Sequence, residues 1–146
     1  MADFFYEEPF QFESDPTNYR LLTDKYVKVV ETDGRKILTV DPEALRILAA
    51  AAVTDLSFYL RSSHLAKLRR ILDDPEATGN DRFVAYVMLR NSVISAKGEL
   101  PWCQDTGTAI VMAKKGEDVY TGAEDAEYLS KGIYETFRDR NLRYSQ

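Results

Sequence analysis

The sequence predicts an α+β fold: a helix-rich domain with an amino-terminal β-hairpin and a short buried strand after a Cys-Gln-Asp-Thr-Gly loop. Three observations carry that prediction. Two β-rich runs flank an Asp-Gly pair, helical start and stop signals recur between residues 41 and 98, and an apolar run, Ala109–Ala113, follows the polar loop. Residues 1–146 are read as one domain, with residues 1–20 as an extended arm. No internal repeat, low-complexity tract or linker divides them.

The arm is aromatic, acidic and punctuated by Pro9 and Pro16, with no sustained period. After it, Tyr26–Glu31 and Lys36–Val40 are separated by Thr32-Asp33-Gly34-Arg35, and an Asp-Gly pair between such runs is a strong hairpin signal. Asp41-Pro42-Glu43 then announces a helix: a side-chain acceptor, a proline suited to the first turn, and an acid near the positive end of the helix dipole. That helix should run to about Leu60 and be deeply buried, since Ala49–Val53 is apolar almost all round.

Ser62 or Ser63 is expected to cap a second helix that Asp73-Asp74-Pro75 stops near Leu72. A third is expected from Asn80 or Asp81 to Gly98, with Phe83, Val84, Val87, Met88, Val93 and Ile94 on one face. Ala109–Ala113 should be a short buried strand, Gly116 and Gly122 bound a polar turn region, and a last helix should span about Ala123 to Arg140. Tyr120, Tyr128, Tyr134 and Trp102 are expected to pack in or near the core.

Composition excludes several function classes. A formal net charge of -5 with no basic stripe argues against a surface that tracks nucleic-acid phosphates. The longest apolar run, Ile47 to Val53, is far too short to span a membrane, and the acidic amino terminus is unlike a signal or transit peptide. A cytoplasmic location is expected. The single cysteine excludes an internal disulfide and any all-cysteine metal site made by this chain alone. His64, on a helix rich in Arg and Lys, has no partner cluster in sequence, so it reads as solvated together with Lys67, Arg69 and Arg70.

The chemically informative segment is Pro101-Trp102-Cys103-Gln104-Asp105-Thr106-Gly107-Thr108. It places a thiol, an amide, a carboxylate, two hydroxyls and a glycine in one loop, where binding groups commonly concentrate. A plain structural turn accounts for the same residues: Asp105 in an Asx-turn, Gly107 at positive φ, Cys103 a small buried hydrophobe. As a site, the thiolate suits a soft iron centre, and the carboxylate and amide suit an oxygen-rich substrate. Composition leaves both readings open.

The string Leu100-Pro101-Trp102-Cys103-Gln104-Asp105-Thr106-Gly107-Thr108-Ala109 resembles the first cluster-cysteine motif of the iron–sulfur-dependent class I fumarate hydratases. Ile71–Ala77, Asn80–Ala85 and Asn141–Gln146 resemble the same family in the same order, so the likeness covers about Arg61 to Gln146. L-tartrate dehydratases share a similar core. The resemblance implies a hydro-lyase that reversibly hydrates fumarate to L-malate, with three cysteines holding a [4Fe–4S] cluster. By it, Cys103 is the first cluster ligand, Gln104 and Asp105 lie against the substrate, Asp105 is the candidate proton-transfer group, and Arg143 grips a carboxylate of the dicarboxylate.

It also implies a missing carboxy-terminal part that carries the other two cysteines, and a homodimer when the protein is full length. The chain is therefore expected to be an amino-terminal portion, without a stable cluster and inactive alone. Tartrate dehydration is the alternative within the enzyme class; a non-catalytic helical interaction module is the alternative outside it.

Overall fold

In the computed structural model, residues 4–7, 18–102, 108–140 and 142 are described. The elements follow in the order of an α+β fold. Strand β1 (Val27–Thr32) pairs antiparallel with β2 (Arg35–Val40), Val27 opposite Val40 and Thr32 opposite Arg35. Asp33 and Gly34 both have positive φ, 48° and 74°, the turn whose twist matches that of the strands it joins. The hairpin stands where the sequence predicts it.

The short strand does not. Strand β3 is Val119–Tyr120, inside the stretch expected to be a polar turn, and it adds parallel to β2 with Leu38 opposite Val119. The Leu38 amide donates to the Asp118 carbonyl at 2.8 Å, and Arg35 pairs with the Asp118 carboxylate at 2.5 Å. Residues 109–113 form no strand and are exposed, Ile110 by 76% and Met112 by 74%. A strand needs a partner, and the edge of β2 is already occupied by Val119 and Tyr120.

Helix α1 (Pro42–Phe58) starts as expected, Asp41 accepting from the Glu43 amide at 2.9 Å. Its deep burial is not observed: Ala49, Ser57 and Phe58 are buried, while Leu48 and Leu56 are exposed. Helix α2 (Ser62–Asp73) has Arg61 at its cap position with no side-chain cap bond, so neither serine caps it as expected. Leu68 is buried, and His64, Lys67, Arg69 and Arg70 are exposed.

Helix α3 (Gly79–Ser95) begins one to two residues earlier than expected because Thr78 and Asp81 form a reciprocal capping box. The Asp81 amide donates to Thr78 Oγ1 at 3.2 Å and the Thr78 amide to Asp81 Oδ2 at 2.9 Å. The helix ends at Ser95, three residues before the expected stop at Gly98, whose φ is 78°. The buried face is not the predicted apolar one. It consists of Ala85, Ser92 and Ser95, while Phe83, Val84, Val87, Val93 and Ile94 are exposed. This helix packs mainly on α2, so one side of it is left without cover.

Helix α4 (Asp125–Asp139) packs along α1. Gly132 makes the approach close: a Cβ there would lie 2.3 Å from the Arg46 carbonyl oxygen and 2.9 Å from Ala49 Cβ. Arg46 bridges the two helices, bonding Glu43 in its own turn and Glu135 across the seam at 2.6 Å. Two carboxylates hold that guanidinium's pKa above its ordinary value, and the Arg46 hydrogen bond holds Glu43 below its own. Tyr120 and Tyr134 are exposed rather than packed; Tyr128 is half-buried and Trp102 is buried.

Candidate active site

Cys103, Gln104, Asp105 and Arg143 all lie outside the described residues, so the site is defined by what flanks them. Trp102, immediately before the cysteine, is 6% exposed, and its amide donates to the Ser57 carbonyl at 2.8 Å. That carbonyl belongs to the last turn of α1, where helical acceptors lack intrahelical partners. The neighbouring Phe58 carbonyl accepts from Ser95 Oγ at 3.0 Å, and Ser95, at the end of α3, is buried. The ends of α1 and α3 therefore meet at one corner, and the Cys-Gln-Asp-Thr-Gly loop leaves from it. The Trp102 indole N–H in that corner is buried and has no hydrogen-bond partner among the described residues.

Further along the chain, Lys115 and Thr121 are tied to the start of α4. Lys115 donates to Asp125 at 2.5 Å, and Thr121 also bonds Asp125, in the first turn of α4. Those two donors hold the Asp125 carboxyl below its ordinary value, and the positive end of the helix dipole acts in the same direction. Leu142, the residue before Arg143, is 1% exposed, and its amide donates to the Phe137 carbonyl at 3.1 Å. Trp102 and Leu142, the described neighbours before Cys103 and Arg143, are thus both buried and hydrogen-bonded to helix carbonyls.

Sequence reasoning missed Ser57, Ser95 and Lys115. Serines inside helical patterns read as polar surface, and a lysine after an apolar run reads as solvated. No local signal marks any of them as an anchor.

The chain holds one cysteine and one histidine. Among the described residues no cluster of His, Cys, Asp or Glu could hold a metal ion. Iron–sulfur clusters are held chiefly by several thiolates, so the donor set of this chain alone does not fit one. Cys103 can supply a single ligand. No described helix is long and apolar enough to cross a membrane.

The family described as "Fumarate hydratase (Fumerase)" matches residues 47–146, and the chain belongs to it. It is 55% identical over 143 residues to the anaerobic class I fumarate hydratase of Escherichia coli (strain K12), covering 98% of this chain and 26% of that protein. The aerobic class I fumarate hydratase of Salmonella typhimurium is 52% identical, with 98% and 25% covered. Fumarate hydratase 2 of Leishmania major is 49% identical, with 99% and 26% covered. The chain spans about a quarter of the length of these curated relatives.

Proposed function

We propose that this chain is the amino-terminal domain of a class I fumarate hydratase, a hydro-lyase that adds water across the double bond of fumarate to give L-malate. The observation that carries the reading is the 55% identity over 98% of a chain that contains the segment Cys103-Gln104-Asp105-Thr106-Gly107. The relatives reported above are all named fumarate hydratases, which favours fumarate over tartrate.

In this reading Cys103 is one of the thiolates that hold a [4Fe–4S] cluster, and the other ligands come from polypeptide outside this chain. The cluster, when complete and bound, supplies a Lewis-acidic iron for the hydroxyl being added or lost. Arg143 holds a substrate carboxylate, because a guanidinium offers two parallel donors in the geometry a carboxylate accepts. Gln104 orients the bound diacid. Asp105 carries the proton given to one carbon in hydration and removed from it in dehydration, provided it lies within hydrogen-bond reach. Anchoring of Trp102 on α1 and of Leu142 on α4 supports this assignment, since a misplacement of about 1 Å can cost roughly 100-fold in rate. The same reading takes the full-length protein as a cytoplasmic homodimer, by family resemblance.

The test joins this chain to the downstream three quarters of the Escherichia coli anaerobic relative and reconstitutes the product anaerobically with iron and sulfide. Fumarate consumption and the cluster absorbance are followed. Cys103→Ser should abolish both, and Asp105→Asn should keep the absorbance while lowering turnover at least about 100-fold. Full activity and an intact cluster in Cys103→Ser would remove the cysteine from the ligand set, and unchanged turnover in Asp105→Asn would remove the aspartate from proton transfer. The 146-residue chain alone should form no stable cluster under the same conditions.

A further inference from the structure

A cavity of about 850 Å³ opens beside the seam of α1 and α4. Leu48 and Leu56 of α1 and Ile133 and Phe137 of α4 line it, and residues 108–116 run along its edge. That edge carries Ala109-Ile110-Val111-Met112-Ala113, a run with strand composition that is paired with no strand among the described residues. Ile110, Val111 and Met112 are all exposed. An apolar, unpaired strand-like run beside an apolar groove is a template for another strand.

We propose that this groove, with residues 109–113 as its pairing edge, is the seat of a strand-bearing segment from the polypeptide that lies beyond this chain in proteins of its relatives' length. The inference rests on the reading of the chain as an amino-terminal domain.

Two observations select that occupant. First, the described residues bury only six hydrophobic side chains: Ala49, Phe58, Leu68, Ala85, Trp102 and Leu142. A chain of this size ordinarily buries roughly two thirds of its unfolded surface, so much of the expected cover is missing. The relatives carry about three quarters of their length outside the matched region, which is ample to supply it.

Second, the exposed apolar residues are spread over several elements. Val29 on β1, and Phe83 and Val87 on α3, are exposed as well as Ile110 and Met112. A two-fold contact with a second copy sets one patch against itself and would leave the other elements uncovered. The arm does not close the groove with its described aromatics either, because Phe4, Phe5 and Tyr6 are exposed.

Hydrogen exchange read by mass spectrometry tests the proposal on two proteins: the 146-residue chain, and the same chain joined to the downstream part of the Escherichia coli anaerobic relative. Amides of residues 109–113 should exchange fast in the first and at least about 100-fold more slowly in the second, as buried strand amides do. Equally fast exchange in a folded joined protein overturns the proposal. So does concentration-dependent protection in the chain alone, which would make a second copy the occupant.

The double substitution Ile110→Lys, Met112→Lys supplies a separate check. It should leave the thermal midpoint of the chain alone unchanged, because both side chains are exposed there, and should remove the protection in the joined protein. A lowered midpoint in the chain alone would place the run in its own core and overturn the proposal. The outcomes separate from those of the proposed function. Protection without fumarate hydration keeps the docking surface and removes the function; hydration without protection does the reverse.

Discussion

Along the seam of the α1–α4 pair, Gly132 lets α4 lie against Arg46 and Ala49, and Arg46 ties Glu43 and Glu135 together. Beside that seam, the same two helices turn Leu48, Leu56, Ile133 and Phe137 toward an open apolar groove that Ala49 also lines. Closure of the seam needs only local fit: a missing Cβ and one guanidinium shared by two carboxylates. Closure of the groove needs more apolar surface than the described residues bring to it. Within one helix pair, the seam is closed by residues of this chain, whereas the apolar groove is left open among the described residues.

The largest effect that bears on this contrast comes from Phe58 and Leu56, two positions apart on α1. Phe58 is 2% exposed and Leu56 is 75% exposed. Phe58→Ala should cost about 3–5 kcal/mol in urea unfolding of the chain followed by circular dichroism, whereas Leu56→Ala should stay within about 0.5 kcal/mol. In the protein joined to its downstream part, Leu56→Ala should rise toward the cost of a core truncation. Equal costs for the two substitutions in the chain alone would erase the distinction between a closed and an open face.

Next comes Gly132→Ala. Alanine favours a helix interior over glycine by about 1 kcal/mol, but here its Cβ would meet a backbone oxygen at 2.3 Å. Backbone yields little, so overpacking should prevail, with a net loss of about 1–3 kcal/mol by the same measurement. Gly79→Ala, where the added carbon meets nothing within 4 Å, is the control and should not destabilise. Stabilisation by Gly132→Ala would show that the seam is looser than its geometry.

The smallest effect concerns acid stability and the start of α3. Hydrogen bonds from Thr78 hold the Asp81 carboxyl below its ordinary 3.8. A depressed carboxylate contributes stability that is fully present above its unfolded pKa and is lost as pH falls through its folded one. The contribution therefore fades below about pH 4. Asp81→Asn should flatten that part of the stability–pH profile. Thr78→Ala should cost about 0.5–2 kcal/mol at neutral pH through the lost cap. An unaltered acid limb in Asp81→Asn would show that the capping box does not couple to protonation.

Legibility in the sequence followed how local each cause is. The hairpin was readable because Asp33-Gly34 specifies its own turn, and the start of α1 because Asp41-Pro42 satisfies that helix end within a few residues. The strand placed at Ala109–Ala113 was misread because strand formation depends on a partner. Composition shows that Ile110 and Val111 suit a strand; it does not show that Val119 and Tyr120 take the edge of β2 instead. The exposed face of α3 was misread for a related reason. Periodicity locates an apolar stripe, but whether Phe83 and Val87 are covered depends on what packs there. Of the candidate site, the sequence showed the residue types in the loop, while the anchors Ser57, Ser95 and Lys115 could be found only from three-dimensional contacts.

By itself, then, the sequence determined the α+β class, the hairpin, the succession of helices and a motif whose residue types suit a fumarate hydratase. Each of these rests on interactions a few residues long or on chemistry carried by the side chains themselves. Only the tertiary structure decided that Gly132 is the contact of a helix seam, that Trp102 is hung on the last turn of α1, and that the run after the motif stays uncovered. Those depend on residues tens of positions apart meeting in space, and burial is a property of the meeting rather than of either partner.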